Sequence, residues 1–339
     1  MARDSAAAPP ALAARGAGFR LGIDIGGSKV ALAVAGADGR LRASRRLPAP
    51  QRASWREDLA WLAGEVRALL ADCGLGTADL ASAGVAAPGP MDAARERLLR
   101  PPNLPHWDAV PLRAWLAEAL RLPVFVENDA NAAALAEWHY GAGRGAQDLV
   151  YLTLSTGVGG GIIAGGRLQR GARGSAGEFG HLPAEWQGEA CACGLRGCFE
   201  AYLGGAAWSR RLARLAPDAS LVLALAGQRD ALRPEHVLAA AARGDAFARA
   251  ELARWNHYLA RLLVQVTFAL DPERIVLGTI ASAAGEALCL GPVRQALRAA
   301  LWPPLRGIEV CASGLGAELP ARAGLAVALA GEAELSRAS

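Results

Sequence analysis

Two stretches of this chain repeat one pattern about 130 residues apart, and few folds accommodate that. Residues 19–41 read FRLGIDIGGSKVALAVAGADGRL and residues 149–168 read LVYLTLSTGVGGGIIAGGRL. Each is an apolar strand, a turn of glycine and small hydroxyl residues, a second apolar strand, then glycine and a basic residue. The pattern predicts two β-hairpins whose turns expose backbone N–H groups. Between and after them, helical periodicity is expected at 59–70, 113–120, 130–140, 248–270 and 321–330. Short apolar strands are expected at 82–87, 124–126 and 274–277. Helices alternating with buried strands, with one opening hairpin per half, imply a duplicated α/β architecture of two domains with a cleft between them.

The chain has 339 residues, enough for two cores, with 53% hydrophobic and 20% charged residues. No apolar run is long enough to span a bilayer, so no membrane association is expected. Residues 1–18 lack the apolar core of a signal peptide and are expected to be a disordered tail, too short for a helix-turn-helix. A net charge of +4 with scattered arginines does not imply a nucleic-acid partner, and none is expected. All but one of the 36 basic residues are arginine; the exception, Lys29, sits in the first glycine turn, where a compact ammonium differs from a planar fork.

Residues 181–200 carry His181, Cys191, Cys193 and Cys198, the ligand set of a closed tetrahedral zinc site. The remaining cysteines are dispersed, which suits a reducing, cytoplasmic compartment. Such a clamp would fix Glu178, His181 and Glu200 around a polar substrate. If one imidazole nitrogen binds metal, the other is left for a sugar hydroxyl. The alternative is three reduced cysteines in a compact loop.

The turns at 24–29 and 155–161 suit phosphate, because small residues let backbone N–H groups approach its oxygens. Neither is a P-loop. Asp24 enters the first turn and is a candidate Mg²⁺ holder, directly or through water. Asp129 lies where a strand meets a helix; it suits either a general base or a helix N-cap. Asn103, Asn128, Glu178, His181 and Glu200 offer the donors and acceptors that a polyhydroxylated ligand needs.

Taken together, LGIDIGGSK, Ala-Pro-Gly-Pro at 87–90, Pro-Asn-Leu-Pro-His-Trp at 102–107, ENDANAAALAE at 127–137, STGVGGGII at 155–163, GEFGH at 177–181 and CACGLRGCFE at 191–200 resemble the ROK family of repressors, open-reading-frame proteins and sugar kinases. The likeness runs over nearly the whole chain from about Gly22. It implies the duplicated actin-like ATPase (ribonuclease H-like) fold. The domains are expected at 19–129, joined by a C-terminal helix at 319–339, and at 130–318, with the zinc-binding loop in the second.

By the same resemblance, Asp129 is the base that deprotonates a sugar 6-hydroxyl. Gly89, Asn103, Asn128, Glu178, His181 and Glu200 contact the sugar. Asp24, Gly26, Gly27, Ser28, Lys29, Thr156, Gly157, Gly159, Gly160 and Gly278 serve ATP and Mg²⁺. His181, Cys191, Cys193 and Cys198 hold a structural Zn²⁺, and the protein is a homodimer. The implied activity is ATP-dependent phosphorylation of a hexose, glucose first. N-acetylmannosamine, N-acetylglucosamine and fructose are the alternatives, and a non-catalytic sugar-responsive regulator is a reading of a different class. Three positions depart from the family's habit: Ser28 stands where threonine is usual, and His106 and Leu182 where glycine and methionine are commoner. Gly278-Thr279-Ile280 also replaces a glycine run near the nucleotide.

Overall fold

A computed structural model describes residues 18–338. The expected tail lies outside the described residues except for Gly18. The described chain forms two compact units. The first holds residues through Gly145 together with Leu168–Ala176 and those from Ala317 onward; the second holds Ala146–Arg167 and Gly177–Gly316.

The first unit is built on a five-stranded sheet. Its strands are β1 (Phe19–Ile25), β2 (Lys29–Ala35), β3 (Leu41–Pro48), β4 (Leu80–Ala87) and β5 (Val124–Asn128), in the order β3-β2-β1-β4-β5. The β1–β2 pair is the expected hairpin, antiparallel with Asp24 opposite Ala31, while β4 runs parallel to β1 and β5 parallel to β4. The third strand escaped the sequence reading because Arg42, Arg45 and Arg46 break its hydrophobic pattern. Arg45 is neutralised by Glu65 at 3.0 Å and Asp72 at 2.5 Å, which suits an exposed edge.

One face of this sheet packs on the helix Trp55–Asp72 through Leu59, Leu62, Val66 and Leu70, and on Leu112–Leu120. The other carries the helices Asp129–Tyr140 and Leu319–Ala338. Here Gly84 and Gly324 let the last helix lie on the strand backbone: a Cβ on Gly324 would sit 2.7 Å from the Gly84 carbonyl oxygen. The boundary expected at 129/130 falls instead after Gly145. Helix Asp129–Tyr140 is lined with buried alanines and packs against Leu319–Ala338, so its burial belongs with the first sheet.

The second unit repeats the topology. Its sheet runs through β6 (Leu149–Leu154), β7 (Val158–Ala164), β8 (Arg167–Gln169), β9 (Arg274–Leu277) and β10 (Glu309–Ala312), in the order β10-β9-β6-β7-β8, with Leu168 and Gln169 of β8 already counted with the first unit. Again the opening hairpin is antiparallel and the next two strands are parallel. Its spine is the helix Ala246–Leu270, whose buried Leu252, Trp255, Leu259, Leu262 and Val266 recur at helical spacing. Trp255 stacks on Trp208 at 5.6 Å. Two matched α/β units make this the duplicated, two-domain α/β fold that the repeat implies.

Candidate active site

In the first unit, β1, β4 and β5 are parallel and deliver their carboxyl ends to one place, where sites gather in open α/β sheets. Asp24 and Glu127 both pair with Ala86, and Asn128 pairs with Ala87, just ahead of Gly89.

The helix Asp129–Tyr140 is capped by Asn128, not by Asp129. Asn128 Oδ1 accepts the N–H of Ala130 at 2.9 Å and of Asn131 at 3.4 Å, while Asp129 Oδ1 accepts the Ala130 N–H at 2.8 Å. The structural role open to Asp129 in the sequence is therefore carried by its neighbour. Asn128 keeps its Nδ2 facing Gly89, where an added Cβ would come within 3.2 Å.

Asp24 is held near Asp129. Burial first, then the Asp129 charge, raises its carboxyl from 3.8 to about 7, against a smaller opposing pull from Arg46. Two carboxylates in one low-dielectric corner invite a cation, which fits the Mg²⁺ expectation. The turn that follows, Gly26–Ser28, is closed by the Gly26 N–H on the Lys29 carbonyl at 2.8 Å, with Ser28 and Lys29 exposed.

Asn103 lies against this turn. A Cβ at Gly27 would stand 2.5 Å from Asn103 Cβ, so the glycine turn and the 102–107 loop interlock. The loop is anchored by buried Leu104 and Trp107. His106 Nε2 at 2.7 Å and Trp107 Nε1 at 2.9 Å both meet Asp58 Oδ2. Burial pushes the Asp58 carboxyl up, but hydrogen bonds from His106, Trp107 and the Arg52 N–H outweigh it and leave it below the usual range. His106, a departure from the family habit, thus joins the loop's anchor.

The second unit builds its half around the turn Ser155–Gly157. Gly205 and Ala206 N–H groups, opening the helix Gly205–Leu215, bond to the Ser155 and Thr156 carbonyls at 2.7 and 3.0 Å. Gly159 and Gly160, expected to cradle phosphate, lie within β7 opposite Thr153 and Leu152. Gly160 gives room to Phe179, whose ring carbon would be 2.5 Å from an added Cβ. Gly177, at φ +93°, backs directly onto the Gly160 carbonyl and sets Glu178 and His181 beside β7. Glu178 is exposed, with Oε2 4.0 Å from His181 Nε2.

Glu200 Oε2 accepts the Val158 N–H at 3.0 Å, while Cys191 Sγ lies 3.8 Å from Glu200 Oε1. Its carboxylate stands between the glycine turn and the cysteines. The four ligand atoms of His181, Cys191, Cys193 and Cys198 all lie within 4.8 Å of one another. His181 Nδ1 faces Cys191 Sγ at 3.8 Å, and Cys193 and Cys198 sulfurs are 3.8 Å apart. Those are the ligand–ligand spacings a tetrahedral zinc with bonds of about 2.0–2.3 Å demands. Burial, with the neighbouring thiols, drives Cys198 up to about 12, so a cation is what would make it a thiolate. The residues fit zinc, with Nδ1 as the imidazole ligand and Nε2 on the Glu178 side.

A cavity of about 720 Å³ opens beside Ser155 and Thr156, running over Ala206 and Ser209 between Arg233–Pro234 and Thr279–Ile280. Its mostly apolar lining suits a nucleoside. Sequence reasoning missed it, because four segments far apart in the chain build it and no single motif joins them. Gly278 does not line it but packs on the Tyr151 hydroxyl. Thr279 takes the left-handed conformation at φ +49°, and its Oγ1 accepts the Leu154 N–H at 2.8 Å. A threonine here takes the left-handed conformation that glycine favours.

The ROK family model matches residues 20–330. This chain belongs to the ROK family. Among its relatives is a glucokinase of Streptomyces coelicolor, 32% identical over 332 residues, covering 94% of this chain and 98% of that one. An N-acetylmannosamine kinase of Shigella boydii is 35% identical over 263 residues, covering 76% and 81%. The ROK family glucokinase from Streptomyces griseus, solved in complex with glucose and AMPPNP, is 33% identical, with a TM-score of 0.75 over 92% of this chain and 99% of that one. No helix among the described residues of this ROK protein is long and apolar enough to cross a membrane.

Proposed function

We propose that this ROK protein is an ATP-dependent hexokinase that phosphorylates the 6-hydroxyl of glucose. The observation that carries the reading is the division of labour at the strand–helix junction: Asn128 caps the helix, and Asp129 stands beside Asp24 as a carboxylate suited to take a proton. Glucokinase relatives at 32–39% identity support glucose as the acceptor.

In this reading Asp129 accepts the hydroxyl proton as the oxygen attacks the γ-phosphate. Phosphoryl transfer asks for little more than alignment and charge stabilisation. Asn103, the Asn128 Nδ2, Glu178, His181 Nε2 and Glu200 hold the sugar hydroxyls, with Gly89 leaving room beside Asn128. Gly26, Gly27, Ser28 and Lys29 in one turn, and Thr156 and Gly157 in the other, receive the phosphates, while the cavity over Ala206 and Ser209 takes the nucleoside. Asp24 would hold Mg²⁺, which neutralises charge on the transferring phosphate. His181, Cys191, Cys193 and Cys198 would hold a structural Zn²⁺ that fixes the sugar-binding loop. We further expect a cytoplasmic homodimer that binds neither nucleic acid nor membrane.

A second reading, an N-acetylmannosamine kinase, is favoured by relatives of that activity at 34–35% identity. Turnover with glucose, mannose, fructose, N-acetylglucosamine and N-acetylmannosamine separates the two. Glucose should give the highest kcat/KM, with the product's phosphate on O6 by ³¹P–¹H correlation. A higher value for N-acetylmannosamine would transfer the assignment to the second reading.

A further inference from the structure

One buried carboxylate beside Asp129 has no part in the transfer just described. Glu127 is 2% exposed, at the penultimate position of β5. Every side of it is occupied. Oε1 accepts the backbone N–H of Asn128 at 3.1 Å and the Nδ2 of Asn131 at 3.0 Å. Oε2 accepts Arg170 Nε at 2.6 Å and Arg95 Nη1 at 3.3 Å. Arg170 continues to Glu334 at 2.7 Å. Burial raises the Glu127 carboxyl above its usual range, while the Asn131 hydrogen bond, the Arg95 charge and the Asn128 N–H pull it back.

The two donors on Oε1 bracket Asp129 in the chain. Asn128 precedes it and supplies the helix cap; Asn131 follows it in the same first turn. Asn131 is itself 3% exposed, and its Oδ1 meets no hydrogen-bond partner among the described residues. The bond from its Nδ2 to Glu127 is therefore what orients this amide. A buried carboxylate with four donors is a rigid fixture, because moving it would leave charge and donors unpaired together.

We propose that Glu127, held by Arg170, is a positioning residue for phosphoryl transfer: it fixes the Asn128 peptide and the first helical turn, and through them the Asp129 carboxylate and the Asn128 amide. The inference rests on the kinase reading above and extends it to residues that touch neither sugar nor nucleotide. Misplacement of a reacting group by about 1 Å costs on the order of 100-fold in rate, so such a fixture carries a large kinetic effect.

The test uses the full chain with ATP and glucose, comparing wild type with Glu127→Ala, Glu127→Gln and Arg170→Met. Glucose titration calorimetry supplies the fraction of binding-competent sites, so that kcat is expressed per competent site. Glu127→Ala should lower that kcat by ~100-fold, with a smaller change in KM for glucose. Glu127→Gln, which keeps an acceptor for Asn128 and Asn131, should fall between wild type and alanine. Combining Glu127→Gln with Arg170→Met should cost no more than the worse single change, because both break one unit. Hydrogen exchange supplies a readout independent of turnover. Amides of 128–134 should exchange faster in Glu127→Ala than in wild type, while the second unit is unchanged. A wild-type kcat per competent site in the alanine variant would overturn the proposal. So would a loss matched by a falling competent fraction with exchange raised throughout. If the wild-type chain turns over no sugar, the kinase reading fails by itself, and unchanged protection at 128–134 would separately overturn the positioning role.

Discussion

Glu200 accepts the backbone N–H of Val158 at 3.0 Å, which joins the residue two places after Cys198 to the glycine turn that opens β7. One carboxylate thereby touches both the cysteine loop and the glycine turn of the same unit.

Replacing Glu200 should show in both halves of the kinetics. A charged group hydrogen-bonded to backbone is worth about 1.5–3 kcal/mol. Glu200→Ala is expected to raise KM for glucose and for ATP together, by roughly 10-fold each, and to lower Tm by a few degrees. Steady-state kinetics with both substrates varied checks this. A rise in one KM with the other unchanged would separate the two roles.

Asp24 should make the ligand-free protein sensitive to pH in an unusual direction for a carboxylate. Its folded value of about 7 lies above the unfolded 3.8, so the folded state is at no disadvantage below pH 3.8. It loses stability as pH rises toward 7 and bears the full cost above it. Asp24→Asn removes that cost. The variant should match wild type in stability only at or below about pH 3.8, gain on it steadily as pH rises toward 7, exceed it at pH 8 by up to a few kcal/mol, and lack kinase activity. A lower Tm at pH 8 would contradict this.

The loop bearing Asn103 should depend on Asp58. This carboxylate is fully buried under His106 and Trp107, and its folded value lies below the unfolded one. Its contribution is present above the unfolded value and fades as pH falls through the folded one. Asp58→Ala leaves the Trp107 Nε1 and Arg52 N–H donors unpaired, which costs about 2–4 kcal/mol. KM for glucose should rise more than KM for ATP. Equal rises would place the effect on the whole unit, not the loop.

Zinc should couple folding of the 177–200 segment to sugar binding, because His181 presents Nδ1 to the cysteines and Nε2 toward Glu178. Chelation, or Cys198→Ser, is expected to remove the metal measured by mass spectrometry, raise proteolysis within 177–200 and abolish glucose binding in calorimetry. A metal-free chain with full glucose affinity would refute the coupling.

Much of this was legible in residues 19–41 and 149–168, because hairpins with glycine turns are local and their repetition implies a duplicated topology. The cysteine spacing likewise announced its cluster. Other parts depended on contacts that sequence does not display. Asn128 and Asp129 are both good caps, and only geometry assigns the cap to Asn128. That Gly160 and Gly278 also make room for Phe179 and Tyr151 is a packing role the sequence does not display. The arginines of β3 hid an edge strand. The nucleoside cavity draws on residues near 155, 205, 233 and 280, separated by too much chain for any motif to join them. The boundary after Gly145 follows from burial of helix Asp129–Tyr140 against a helix almost 200 residues later.

The most direct test of the account is ADP release from ATP and Mg²⁺ with glucose, wild type beside Asp129→Asn. The asparagine preserves size and cannot take the hydroxyl proton, so turnover should fall by at least ~100-fold while calorimetric glucose affinity stays within a few-fold of wild type. Wild-type turnover in the variant would contradict a base at Asp129, and no glucose-dependent ADP release in the wild-type chain would contradict the glucokinase reading itself.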